Sequence, residues 1–466
     1  MERLAEEIRR RAGEAGPRLT ALRRHLHRHP EPAWGEYLTA SLVARALQDA
    51  GFRLTLGANA LRPSARPRQP EAAFCTAQSG RALNEGADPT LVACMAGGLT
   101  GLWGDLDLDS PGTPEDERGP LVAFRFDMDA NAGITEATDK DHFPAAQGFA
   151  SCHAGCMHAC GHDGHVALGV ELARLLGGLR DELSRHLSGR IRLIFQPAEE
   201  GFDMNVLREV CKEGGDMRGG AASMIAFGAL EGVDACFALH INSSMPVGTL
   251  GVPEELFSAS SDIFELTIQG RGGHGSAPED AVDPTGALAA VIAAYNALPS
   301  REVGALDSCS LSIGAIRCGE VWNAIPDSAY VTGGLRAFSN EMRDHIFQRL
   351  REIAEGICAA HRCTAQFCRH EGYAPGICDR EMAQVMSRVG REVLGGENVT
   401  MLPKPMMGSE DVGYYFQKVP GVIGWLGGMP EAGPVPQHNP HFKIDLNALP
   451  YGMLVHIAMA LDYLNR

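Results

Sequence analysis

The chain has 466 residues, 45% of them hydrophobic and 21% charged, which suffices for a large buried core divided into two units and excludes disordered and fibrous classes. Lys and Arg total 41 against 58 Asp and Glu, a net charge of −17 with no basic patch to override it, which excludes the phosphate backbone of a nucleic acid as partner. The longest apolar stretch, Ala287–Tyr295, is too short to cross a bilayer, and Met1–Arg11 alternates acids and bases where a signal peptide is apolar, so the expectation is a cytoplasmic protein with no membrane partner.

From the N-terminus, Leu19, Leu22 and Leu26, then Leu38, Leu42 and Leu47, recur at helical spacing on either side of a break at His29-Pro30-Glu31-Pro32. Between Ala58 and Arg118 the periodicity fades among Pro, Arg, Gly and Asp, which predicts mostly loop with a short helix near Leu91–Leu102. Leu121–Phe126 is a short apolar run ending in Asp127-Met128-Asp129, the pattern of a buried strand that delivers carboxylates at its C-terminal end. Ile191–Phe195 repeats the device and ends in Gln196-Pro197-Ala198-Glu199-Glu200-Gly201; Ala235–His240 repeats it again after a helix over Ala221–Leu230. Alternating strands and helices predict an α/β fold, a mixed and mostly parallel sheet sandwiched by helices, with ligands gathering beyond the strand C-termini.

From Phe257 to Tyr373 the pattern changes to a strand (Phe264–Ile268), a helix (Thr285–Leu298), two strands (Ser310–Ile316 and Ser328–Arg336), a helix (Glu341–Ala360) and a last strand. That β-α-β-β-α-β order predicts a ferredoxin-like α+β unit over residues 257–373, inserted into a discontinuous main domain over 1–256 and 374–466. The main domain resumes with a strand at Val422–Leu426 and a closing helix at Leu449–Leu464.

Thirteen cysteines, an odd and dispersed set, predict reduced thiols rather than a disulfide framework. Only Cys152, Cys156 and Cys160 crowd together, within a stretch, Ser151–His165, that also holds four histidines and an aspartate. Thiolate, imidazole and carboxylate are the groups that hold transition metals, and packing has no need for so many of them together. A closed structural zinc site or an iron–sulfur cluster would account for the cysteines. Neither calls for Glu199-Glu200 at a strand end, whereas a hydrolytic site needs an oxygen ligand beside a free general base.

Six blocks in order, His-Ala-Cys-Gly-His-Asp-Gly-His (158–165), Phe-Gln-Pro-Ala-Glu-Glu-Gly (195–201), Gly-Arg-Gly-Gly-His-Gly (270–275), Asn-Ala-Ile-Pro-Asp (323–327), Gly-Ser-Glu-Asp (408–411) and His-Asn-Pro (438–440), resemble the signatures of the M20 metallopeptidase and amidohydrolase family. The resemblance runs from about Leu22 to the C-terminus and is nearest the branch of hippurate and auxin-conjugate hydrolases. Gly148–Cys152 and the long segment before Leu121 are most similar to members that act on aminobenzoyl-glutamate.

The resemblance implies a zinc-peptidase-like catalytic domain with two divalent cations, zinc or manganese, held by Cys160, His162, Glu200, His240 and His438. It makes Glu199 the general base, with Glu200 and Glu199 expected to point to opposite sides of an extended segment. Asp129 is implied to orient a ligand or the base, with Asp127, Asp163 and His165 as further supporting or turn-forming groups. His274 is implied to reach into the active site of the second protomer and stabilise the oxyanion, which makes the inserted unit a dimerisation domain. Asn323 and Arg336 are implied to engage the substrate's carboxylate. The implied reaction is hydrolysis of an N-acyl amino acid, with p-aminobenzoyl-glutamate the first choice and hippurate-like or indoleacetyl-aspartate-like conjugates the alternatives. The working form is then a homodimer, or a heterodimer with a homologous B-type chain, while the contrasting reading is a noncatalytic partner of a homologous hydrolase. Cys152 and Cys156 receive no role and are expected to be buried spectator thiols.

Overall fold

A run such as Leu-Val-Ala-Phe-Arg-Phe can stay extended only if both of its faces are covered, and the computed structural model, which describes residues 2–61, 69–110, 112–114, 117–201, 219–305 and 307–466, covers them. Every residue of the strand Leu121–Asp127 is buried, as is every residue of Gly421–Gly427. They belong to an eight-stranded sheet in the order Arg53–Leu56, Leu102–Asp107, Arg190–Gln196, Leu121–Asp127, Ala235–Asn242, Gly421–Gly427, Leu250–Pro253, Val399–Leu402. The central four strands are parallel, in a register that sets Asp127 beside Gln196 and Trp425 beside His240. Antiparallel pairings join these four to the strands on either side.

Alternation divides the two faces. Phe126 and Phe195 lie under the helix His162–Gly178, close enough that a Cβ on Gly169 would stand 2.7 Å from the Phe195 ring. Arg125 and Gln196 point to the other face, where the helix Gly220–Ala226 packs on the strand Arg190–Gln196.

The segment 58–118 departs from its expected loop character. It contains the helix Ala72–Asn84, a shorter helix Pro89–Cys94 and the strand Leu102–Asp107. Trp103 and Asp105 explain why that strand was illegible: its polar carboxylate is buried against Arg192, whose guanidinium donates to Asp105 at 2.7 and 3.0 Å and stacks on Trp103. An ion pair between neighbouring strands has no hydrophobic period to betray it. The helix expected over Ala221–Leu230 ends at Ala226.

Residues Ser261–Tyr373 build a second sheet, ordered Cys309–Cys318, Ser328–Ala337, Ser261–Gln269, Thr364–Tyr373, wholly antiparallel. With the helices Pro284–Glu302 and Asn340–Ala360 the chain order is β-α-β-β-α-β, the ferredoxin-like arrangement. Asp283 and Ser339 cap the two helices by accepting from the backbone of Thr285 and Met342. Phe264, Leu266 and Ile268 alternate onto the helical face and form a separate core with Val291, Tyr295, Ile346 and Leu350. The opposite face of this sheet is left open toward the larger one. Among the described residues no helix is long and apolar enough to cross a membrane, and none of the twelve described cysteines is in a disulfide.

Asp105→Ala would strand the Arg192 guanidinium between two strands without its carboxylate. The expected loss is about 3–5 kcal/mol of unfolding free energy, read by urea denaturation, and a loss below about 1 kcal/mol would show that this strand contributes little to the sheet.

Candidate metal centre

The C-terminal ends of the parallel strands converge on one buried cluster. Cys160 and His162 flank Gly161, whose φ of +107° lets the chain turn sharply into the helix His162–Gly178. His240 comes from the strand Ala235–Asn242, and Cys160 Sγ lies 3.5 Å from His240 Nε2. Glu199 and Glu200 follow the strand Arg190–Gln196 in a bend, not as an extended continuation, with Ala198 at a φ of +54°. This corrects the expectation that the two carboxylates point to opposite sides. Glu199 Oε2 and Glu200 Oε1 each stand 3.8 Å from His162 Nε2, so both face the cluster. His438 enters from the C-terminal section with its Nε2 at 3.2 Å from Glu200 Oε1, its side chain 54% exposed.

The five expected ligands therefore come together. Donor atoms of Cys160, His162 and His240, of Cys160, Glu200 and His438, and of His162, Glu199 and Glu200 form three overlapping groups, within each of which the atoms lie within 4.8 Å of one another. The chemistry of the set fits a pair of cations. His162 Nδ1 donates to the Asp129 carbonyl at 2.8 Å and His240 Nδ1 to the Ile241 carbonyl at 2.9 Å, which leaves each Nε2 lone pair aimed inward. His162 Nε2 is buried and has no hydrogen-bond partner among the described residues. A buried imidazole nitrogen beside a thiol and carboxylates, with its tautomer set by a carbonyl, is the arrangement a metal requires.

Electrostatics points the same way. Burial, then Glu200 and Glu199, push the Cys160 thiol well above its ordinary value. Burial also pushes the Glu199 carboxyl well up, with Glu410, Glu200 and Asp411 acting in the same sense against Arg125. Burial would raise Glu200 too, but the hydrogen bond to His438 and the charge of His162 outweigh it and hold that carboxyl at about 2. Burial lowers His162, yet Asp127, Asp129 and Glu200 outweigh it and carry the imidazole to about 10, while desolvation takes His240 to about 3. Negative charge is in excess here, and divalent cations would balance it.

The expected supporting residues divide. Asp129 is wholly buried and its two oxygens accept the backbone N–H groups of Glu199 and Glu200, each at 2.9 Å. Asp127 accepts from His165 Nδ1 at 2.5 Å, and His165 Nε2 accepts the Ile241 N–H at 2.9 Å. Asp163 lies apart, paired with Arg23 at 2.8 Å and His27 at 2.7 Å. Arg336 borders a cavity of about 720 Å³ roofed by the open face of the second sheet, with Cys160, Glu199, Glu200, His240 and His438 on its floor. Its guanidinium reaches the Met407 carbonyl at 3.2 Å and Ser409 Oγ at 3.4 Å. Among the described residues it has no carboxylate partner, so it is not held in a surface salt bridge. His274 and Asn323 do not border this cavity. They sit side by side at an exposed two-stranded ladder that pairs Gly273–His274 with Ala324–Ile325, where Gly275 donates to the Asn323 carbonyl at 2.9 Å.

Sequence reasoning passed over several groups. Tyr373 donates its hydroxyl to the Glu199 carbonyl, and Glu36 Oε1 accepts the Ala198 N–H at 2.9 Å, so both brace the bend. Arg125 bonds Asp127 at 2.5 Å and Asp411 at 2.7 Å and lies 3.0 Å from Glu410. A lone arginine inside a buried apolar strand was the available signal for Arg125. Cys156 is buried as expected; Cys152 is exposed, against expectation.

Comparison with known proteins identifies the family of the chain. The model of peptidase family M20/M25/M40 matches residues 123–462. Indole-3-acetyl-aspartic acid hydrolase of Enterobacter agglomerans is 34% identical over 351 residues, 75% of this chain and 73% of that protein. One of the subunits of p-aminobenzoyl-glutamate hydrolase from Escherichia coli (strain K12) is 34% identical over 357 residues, 76% of this chain and 74% of that protein. In solved structures, the Bacillus subtilis YXEP protein, a dinuclear metal-binding peptidase of the M20 family, aligns at a TM-score of 0.69 and 27% identity over 97% of this chain and 99% of its own. With its buried thiol, imidazoles and paired glutamates at the strand ends and a family match spanning most of its length, the chain is a hydrolase of peptidase family M20/M25/M40.

Proposed function

We propose that this enzyme hydrolyses the amide bond of an N-acyl amino acid, p-aminobenzoyl-glutamate first among them, with Glu199 as general base. The observation that carries the reading is the meeting, at one cavity, of Cys160, Glu200, His240 and His438 with the buried His162 grouped against them, a buried carboxylate not needed as a ligand, and a guanidinium with no carboxylate partner among the described residues. Cys160, His162, Glu200, His240 and His438 would hold two divalent cations, zinc or manganese, with the thiolate favouring zinc by softness. When bound, such cations polarise the amide carbonyl and acidify the attacking water.

The remaining work falls to the chain itself. Glu199 takes the water's proton and returns it to the leaving amine nitrogen. Asp129, Glu36 and Tyr373 hold the bend that aims the Glu199 carboxylate. Arg336 binds the carboxylate of the amino-acid half, its burial leaving it poorly solvated and in want of an anion. Relatives acting on indole-3-acetyl-aspartate and p-aminobenzoyl-glutamate, both acidic conjugates, support that choice, and other N-acyl amino acids fit the same chemistry.

His274 and Asn323 complete the site from a second copy of the chain, with residues 257–373 as dimerisation and lid domain. Support comes from the exposed edge strand Cys309–Cys318 and from Ile316, Val321 and Trp322, the last 96% exposed, near the ladder that holds His274. The Escherichia coli relative is named as one of the subunits of its hydrolase, which supports a homologous second chain in place of the identical copy. The dispersed free thiols support a cytoplasmic setting.

Three outcomes are expected. Glu199→Gln lowers kcat on p-aminobenzoyl-glutamate by about 10²–10⁴-fold while elemental analysis still finds the metal content of the wild type; normal turnover would remove Glu199 as base. Arg336→Ala raises KM for the free-acid conjugate by about 10- to 100-fold, the weight of about 1.5–3 kcal/mol for a hydrogen bond to a charged group, and changes KM for the corresponding primary amide far less. Equal effects on acid and amide would show that Arg336 does not read the carboxylate. Trp322→Glu shifts the protein to monomer in sedimentation velocity and lowers kcat with it; a fully active monomer would contradict the shared site.

A further inference from the structure

A second set of metal-type side chains lies outside the cavity and shares no residue with the centre described above. His29, Glu85, Cys152 and His153 present donor atoms that all lie within 4.8 Å of one another. They arrive from three separate segments. His29 caps the C-terminal end of the helix Gly16–Arg28, Glu85 caps that of the helix Ala72–Asn84, and Cys152-His153 stand in the loop that runs on to Cys160. The loop is fastened to the first helix by the Cys152 N–H, which donates to the Arg28 carbonyl at 2.9 Å.

The two distances from His29 are those of a coordination shell. His29 Nδ1 lies 3.6 Å from Cys152 Sγ and 3.4 Å from Glu85 Oε2. Bonds of about 2.0–2.3 Å in a tetrahedron put neighbouring donors roughly 3.3–3.6 Å apart. His153 Nε2 is 2.6 Å from Glu85 Oε1, while its Nδ1 faces the Pro30 carbonyl at 2.8 Å. A carbonyl holding Nδ1–H leaves Nε2 as the ligand atom, the usual support of a metal-bound imidazole. Glu85 Oε2 is buried and, among the described residues, accepts no hydrogen bond. A carboxylate placed at the C-terminal end of one helix, facing the C-terminal end of another, meets two negative dipole ends, a placement that a cation relieves.

We propose that His29, Glu85, Cys152 and His153 form a second, separate site for one zinc-class divalent cation. Binding releases the Cys152 thiol proton, and any proton on His153 Nε2, to solvent. The cation ties the helix Ala72–Asn84 and the loop before Cys160 to the end of the helix Gly16–Arg28. It gives Cys152 and the 72–84 helix a shared purpose, which neither has in the hydrolytic site, and it orders the segment that leads into the Cys160 ligand.

The test titrates Co²⁺ into the full chain carrying Cys160→Ala, which removes the other thiol of the two clusters. One equivalent giving thiolate-to-cobalt absorption is expected, lost on adding Cys152→Ser and weakened on adding His29→Ala, with circular dichroism unchanged. Absence of any Cys152-dependent absorption would overturn the site. A second measurement uses the unaltered chain: Zn²⁺ slows iodoacetamide alkylation of Cys152, by about tenfold at about ten times the dissociation constant, leaves exposed Cys94 unchanged, and loses its effect in His29→Ala. Equal Cys152 rates with and without zinc would overturn it equally. Neither readout involves hydrolysis, so failure of the amidohydrolase reading leaves the result intact and the reverse also holds.

Discussion

Asp129 is the contact on which the rest of the centre depends. One carboxylate accepts the N–H groups of both Glu199 and Glu200, and the carbonyl of the same residue accepts His162 Nδ1–H. A single residue at the end of one strand thereby sets the position of two carboxylates at the end of the neighbouring strand and the tautomer of an imidazole at a helix start. With each oxygen accepting one backbone N–H, the Asp129 carboxylate is fixed in orientation and fixes the bend in turn. Its contribution is to position, and the chemistry passes to the groups it holds.

The second constraint is charge. Asp127, Asp129, Glu199, Glu410 and Asp411 are all buried near one another, with Arg125 bonding or closely approaching three of them. Burying that much negative charge is costly unless positive charge is supplied. The sheet provides one guanidinium from within, and the inward-facing nitrogens and thiol provide seats for cations from without. The loop 407–411 links the two ends of the cavity: Met407 and Ser409 hold Arg336 at the roof, and Glu410 and Asp411 hold Arg125 below the floor.

Much of the fold could be read along the chain because the hydrophobic pattern was strong. The runs 121–126, 191–195 and 235–240 are continuous because their strands are covered on both faces, and the alternation of 261–269 reflects a sheet covered on one. Leu102–Asp107 escaped because its fit depends on Arg192, a partner 87 positions away. The residues alone pointed to a metal only by the crowd of thiols and imidazoles at 151–165 and the Glu199-Glu200 pair at a strand end; the five candidate ligands were legible through the family resemblance. Tyr373 and Glu36 were not, because each acts through a single bond to the backbone of the 198–199 bend, and any acceptor or donor in the right place would serve.

By itself the sequence determined the alternation of strands and helices and the inserted unit, which follow from local periodicity, and it offered the candidate ligands through its resemblance to a family. Tertiary structure alone decided that Glu199 and Glu200 face the same way, that Arg336 lacks a carboxylate partner among the described residues, and that His274 and Asn323 stay outside their own chain's cavity. It also brought His29, Glu85 and Cys152 together across three segments. Direction, pairing and proximity are relations between distant parts of the chain, and they exist only once the backbone has closed.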